Sequence, residues 1–227
     1  MATTPVRVFA ISLTSRRQAL LGLVSVGVIL LGMLAAAVPY RGHRGEGYSP
    51  LNHFVSELGE IAVSRLAWAF NLGLVLGGIG LGIFLLLLAD RLAGRFRTAL
   101  IAAGLVALAS GTLVGIFPMD YRLTHRIVSG LFFLTGWLVV AVVDLWLLRA
   151  PRPGLPRWLL VPGAAVVAIF LTFIAVYSTY HPANPDAPML SRPDAFWIFP
   201  FLEWAALLSL QAWFVCVSIG LLREHSE

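Results

Sequence analysis

With 227 residues, 59% of them hydrophobic and only 12% charged, the chain is too apolar for a water-soluble domain. Soluble chains carry roughly 25% charged residues spread through every element, whereas here the charge gathers between long apolar runs. That excludes cytosolic enzymes, nucleic-acid binders and secreted disulfide scaffolds. The net charge of +5 comes from 16 arginines with no lysine, placed mostly at the ends of apolar segments. They read as topology signals and not as a nucleic-acid surface.

A bilayer crossing takes about 20 residues. Six apolar runs of that size occur, at about 19–38, 66–89, 98–117, 126–148, 158–180 and 198–222. Backbone in contact with lipid has to satisfy its own hydrogen bonds, so each run is expected to be a helix. The expected fold is all-α: a single membrane domain over 1–227, built as a six-transmembrane-helix bundle. The first run has a rival reading, because Ser15-Arg16-Arg17-Gln18 and the later Ala35-Ala36-Ala37 resemble an export signal with a small-residue cleavage site. Its apolar stretch is longer than an ordinary signal core, and the segment is taken as the first helix.

After it comes Tyr48-Ser49-Pro50-Leu51-Asn52-His53-Phe54-Val55-Ser56-Glu57-Leu58-Gly59-Glu60. Ser49 suits an N-cap, Pro50 a first helical position and Gly59 a left-handed end. A short amphipathic helix from about 50 to 58 is expected in this first outward loop, with Leu51, Phe54, Val55 and Leu58 on one stripe. Asn52, His53, Ser56 and Glu57 fall away from the stripe. Such a segment lies in the membrane interface or tucks into the bundle mouth. The four-residue spacing of His53 and Glu57 suits two metal ligands, a base with its orienting partner, or a plain charge-assisted hydrogen bond, and the last is the commonest.

The second run carries Asn71 near its outward end, with Gly73-x-x-x-Gly77 and Gly78-x-x-x-Gly82; the third ends on Gly111-x-x-x-Gly115. Small residues four apart let helices approach closely, and internal packing is a commoner use of them than dimerisation. Pro118 ends the third helix, and Thr124 or Asp120 is placed to cap the fourth. His125 falls in the first turn of the fourth helix, where the dipole favours a neutral ring. Asp144, near Arg149, reads as a snorkelling ion-pair partner. His181 follows the fifth run, and Glu203 lies about one turn inside the sixth, where a carboxylate is costly and by default functional. Tyr40, Trp68, Trp158, Tyr180, Trp197 and Trp204 read as interfacial belts. The lone cysteine, Cys216, allows no internal disulfide.

Ten arginines (7, 16, 17, 91, 95, 97, 149, 152, 157 and 223) fall on one side and six (41, 44, 65, 122, 126 and 192) on the other. The positive-inside rule puts the first set, and both termini, in the cytoplasm of a bacterial plasma membrane. Most acidic residues and His43, His53, His125 and His181 then face outward. Closing the bundle is expected to bring His53, Glu57, Asn71, Asp120, His125 and Glu203 toward one outward polar pocket.

At these residues the chain resembles the prokaryotic membrane family catalogued as domain of unknown function 998. The matching features are Ser56-Glu57-Leu58-Gly59, Phe70-Asn71-Leu72-Gly73-Leu74 and Gly115-Ile116-Phe117-Pro118-Met119-Asp120 followed by His125. More distantly it is similar to DRAM-like six-helix proteins, some of them associated with lipid remodelling or membrane trafficking. The resemblance implies six helices and an outward polar motif, and it supplies no reaction.

Three functions fit. The first is binding or handling of a lipid or other amphiphile through the outward pocket. The second is a structural or accessory subunit with a membrane-protein partner. The third is a metal-assisted intramembrane hydrolase or transferase using His53, Glu57, Asp120, His125 and His181, for which no H-E-x-x-H signature is present. Membrane lipids are the expected partners, nucleic acid is not, and no cofactor is specified.

Overall fold

The computed structural model describes residues 14–150, 154–179 and 195–223. It is helical, with no strand among the described residues. Six helices carry the fold: α1 (Ser15–Ala37), α2 (Ala67–Ala89), α3 (Gly94–Ile116), α4 (Arg122–Arg149), α5 (Leu160–Ser178) and α6 (Ile198–Arg223). All six are long and apolar enough to cross a membrane, and the protein is a multi-pass membrane protein. Each helix packs on its neighbour in sequence, and α6 returns to α1, so the six form a closed ring. Leu31, Leu76, Leu105 and Val161 stand exposed on the outside of the ring, as expected for side chains whose solvent is lipid.

Local chemistry sets the helix ends. The Thr14 hydroxyl accepts from the Arg17 amide at 3.4 Å and starts α1. Gly94, at φ +55°, turns the chain from α2 into α3. Pro118 follows the end of α3 as expected. The cap expected at α4 is different: Tyr121 holds that position with no side-chain hydrogen bond, because Asp120 is engaged elsewhere. At the end of the ring away from the 38–66 connection, Gln18 donates to the Phe84 carbonyl at 3.3 Å and Arg91 to Ser15 at 2.7 Å, tying α1 to α2.

The small-residue motifs serve packing inside the ring. A Cβ on Gly32 would sit 2.6 Å from the Ala69 carbonyl oxygen, and one on Gly77 would sit 2.7 Å from the Ser25 carbonyl oxygen. The backbones of α1 and α2 therefore touch, which only glycine permits at these two positions. Gly82 differs, since a Cβ there would meet open space.

Four expectations are corrected. The connection after α1 does not form an α-helix at 50–58; it makes a turn on Ser49 and then a 3-10 helix at Val55–Gly59. Its polar side is not exposed, because His53 and Glu57 are buried while Leu51 is half-exposed. Gly59 is not in the left-handed region; it is required because a Cβ would collide with Asn71 and Phe70. Tyr40 and Trp197 are buried and form no belt, whereas Trp68 and Trp158 are exposed. Asp144 does not pair with Arg149. Its carboxyl packs on Gly163 of α5, and the Arg149 guanidinium lies 6.0 Å from the Phe96 ring centroid.

Replacing Gly77 by Leu should force α1 from α2 and cost about 1–3 kcal/mol, read as a lowered unfolding midpoint in detergent. Gly82→Leu should leave that midpoint unchanged.

Candidate functional site: the buried plug and its cavity

Residues 52–59 enter the mouth of the ring and are buried almost without interruption. A chain segment this deep carries backbone groups that turns alone do not satisfy, and each unsatisfied one is costly. Side chains from four places supply the partners. Glu57 reaches back to accept from the Phe54 amide at 2.7 Å, and Glu203 of α6 accepts from the Val55 amide at 2.6 Å. Asp120, between α3 and α4, accepts from the Ile61 and Ala62 amides at 2.8 and 3.2 Å. Asn71 of α2 donates to the Gly59 carbonyl at 3.0 Å. The Trp197 amide donates to the Leu51 carbonyl at 2.9 Å.

An aromatic layer covers the plug. The Trp204 indole donates to the Tyr48 hydroxyl at 2.9 Å, and that hydroxyl donates to the Phe54 carbonyl at 2.8 Å. Tyr40 donates to Glu57 at 3.1 Å and stacks edge-on against Tyr48, with ring centroids 5.1 Å apart. Burial, then the Glu57 charge, pushes the Tyr40 phenol far above its ordinary pKa. Burial, then the Glu203 charge, does the same to Tyr48. Both phenols therefore stay neutral hydrogen-bond donors.

Of the six residues expected in one pocket, Glu57, Asn71, Asp120 and Glu203 all converge on the plug, and each holds its backbone. His53 and Glu57 are not neighbours on one helical face, because the helix begins only at Val55. His53 instead sets Nδ1 2.7 Å from Asn52 Oδ1 and Nε2 3.5 Å from Glu46 Oε1. His125 places Nδ1 2.9 Å from the Phe117 carbonyl. A carbonyl only accepts, so Nδ1 carries the proton and Nε2 of the neutral ring is left as an acceptor. Among the described residues no three His, Cys, Asp or Glu side chains are grouped to hold a metal ion, and His181 lies outside them.

Beside the plug is a cavity of about 480 Å³, between α4, α5 and residues 54–60. One wall is polar: Glu57 and Glu60 from the plug, with Arg122, His125 and Arg126 from the first turns of α4. The other is apolar, formed by Phe133, Leu134, Phe173 and Ile174. A smaller inner cavity of about 80 Å³ shares His125, Ser129 and Glu203 with it and reaches Gln211 of α6, whose buried side-chain oxygen lacks a hydrogen-bond partner. Burial, and then Asp120 nearby, raises the Glu60 carboxyl, against the opposing influence of His43 and Arg122.

A family model described as "Protein of unknown function (DUF998)" matches residues 32–220. The chain belongs to that family. No curated protein and no solved structure matches it. The matched span runs from within α1 to within α6, so the plug, its clasp and the larger cavity lie within the matched residues.

Sequence reasoning located the carboxylates and Asn71 but missed Tyr48 and Trp204 as the cover of the plug, and Arg122 and Arg126 as cavity wall. The available signal was two tyrosines and two histidines crowded into residues 40–53, an unusually polar loop.

Glu203→Leu should leave the Val55 amide unsatisfied and cost about 1–3 kcal/mol, with faster amide exchange across 53–62. Glu203→Gln keeps an acceptor oxygen and should fall well short of that loss.

A second expectation concerns pH. Burial alone raises the Glu46 carboxyl, but the amides of Glu46 and Arg44, with His53 beside them, outweigh it and hold the carboxyl below its ordinary value. A depressed carboxyl contributes stability above its unfolded pKa of about 4.3, and that contribution is lost as pH falls through the lower folded value. Amide protection in the 42–46 turn should therefore be full near neutrality and fall on acidification below about 4.3, and Glu46→Gln should flatten the dependence.

Proposed function

We propose that the protein binds or handles a lipid or other amphiphile in the cavity between α4, α5 and the plug, in a bacterial plasma membrane with both termini cytoplasmic. The observation that carries this reading is the division of one cavity into a charged wall and an apolar wall. Its volume of about 480 Å³ lies within the range of about 300–1,000 Å³ of small-molecule sites. A headgroup fits between the α4 arginines and the plug, and an acyl segment fits against Phe133, Leu134, Phe173 and Ile174. The excess of arginine on the opposite side of the membrane supports the orientation.

The clasp favours a second reading, an accessory subunit. Glu57, Asn71, Asp120 and Glu203 each hydrogen-bond the backbone of residues 54–62, which makes them positioning groups for the plug. On that reading the plug is a docking surface for a membrane-protein partner and the cavity is incidental.

Gly130 separates the two. It lines the cavity, and a Cβ there would meet nothing within 4 Å, so Gly130→Leu fills the space without displacing a neighbour. Native mass spectrometry of the gently solubilised wild type should show retained lipid, and Gly130→Leu should lose most of it at an unchanged unfolding midpoint. Equal lipid retention by both proteins, or none by the wild type, removes the amphiphile reading.

A further inference from the structure

We propose that the amphiphile selected by this cavity carries a zwitterionic headgroup, a phosphate bearing a primary ammonium, with the phosphate on Arg122 and Arg126 and the ammonium on Glu60; this rests on the amphiphile reading of the same cavity. Arg122 and Arg126 stand four residues apart on α4, so they project from one face, and both line the cavity. Guanidinium forks match phosphate oxygens in pairs. Opposite chemistry comes from the plug, where Glu57 and Glu60 line the same space.

Glu57 already accepts from Tyr40 and from the Phe54 amide. Glu60 has a looser partner: its Oε1 lies 3.4 Å from His43 Nε2, and the His43 side chain is 48% exposed. Burial raises the Glu60 carboxyl despite His43 and Arg122, so its charge is under-compensated within the chain and gains from a cation brought by a ligand. The protein has no lysine, so no ammonium side chain of its own is there to fill that place.

Other headgroups fit less well. A glycerol-type anionic headgroup satisfies the arginines but brings no cation to a cavity that Glu57 and Glu60 also line. A quaternary ammonium has no N–H to donate to a carboxylate, whereas a primary ammonium has three.

The test uses the full chain in detergent micelles with equimolar phosphatidylethanolamine, phosphatidylglycerol and phosphatidylcholine of identical acyl chains, read by native mass spectrometry. Phosphatidylethanolamine adducts should exceed each of the others by about tenfold, the worth of one charge-assisted hydrogen bond. Glu60→Gln should erase that preference without lowering phosphatidylglycerol binding, and Arg122→Gln should lower all three. Phosphatidylglycerol or phosphatidylcholine binding as well as phosphatidylethanolamine overturns the headgroup assignment while leaving the amphiphile reading standing. An unchanged preference in Glu60→Gln, or unchanged binding in Arg122→Gln, overturns it in the same way. Absence of all three lipids removes both readings together. If Glu60→Gln fails to fold, the wild-type competition alone decides.

Discussion

The arrangement of the ring mouth depends on one constraint: a backbone amide buried away from water needs an acceptor. In the six helices each segment meets that requirement internally, but residues 52–59 enter the mouth with only a short 3-10 helix of their own. The acceptors for the buried Phe54 and Val55 amides are carboxyl groups of the plug itself and of α6, and Asp120 at the junction of α3 and α4 takes the exposed Ile61 and Ala62 amides where the segment leaves the mouth. Placing the two buried amides on carboxyl oxygens offsets the cost of burying both kinds of group, because each donor and each acceptor regains a partner that water would have supplied. A site that looks like a cluster of acid chemistry is thereby also a device for folding a loop inward.

The clasp gives the cavity its polar wall. With residues 54–60 held against α2 and α6, Glu57 and Glu60 face the first turns of α4, while deeper positions on α4 and α5 remain apolar. Separation of charged and oily surface within one space follows from the plug occupying only the mouth while the helices run on beyond it. It requires no residue beyond those the ring already uses.

Much of the fold could be read from the sequence, because a crossing in lipid leaves the backbone few alternatives. Every expected membrane-spanning helix appears within a few residues of its boundaries, and the glycine spacing of α2 marks its contact with α1 at Gly77. The plug was harder to read, because period alone does not tell an amphipathic interfacial helix from a segment whose polar and apolar sides are both buried. Leu51 points out and His53 points in, while Phe54, Val55 and Leu58 of the stripe are buried together with the polar side. Glu203 was legible as an expensive intramembrane carboxylate, but its partner, the Val55 amide, lies 148 residues away and carries no side-chain signal. Asp144 misled for a related reason: nearness to Arg149 in sequence suggested a pair, while packing on Gly163 was decided by a helix the spacing does not describe.

The distance along the chain between Val55 and Glu203 also bears on the order of assembly. The plug follows the first helix, yet one of its amides waits for a carboxylate on the last. During synthesis the segment is therefore made early and stays incompletely satisfied until α6 has entered the ring beside α1. Closing the ring and seating the plug are parts of one late event, so the mouth of the bundle reports on whether the whole chain has arrived.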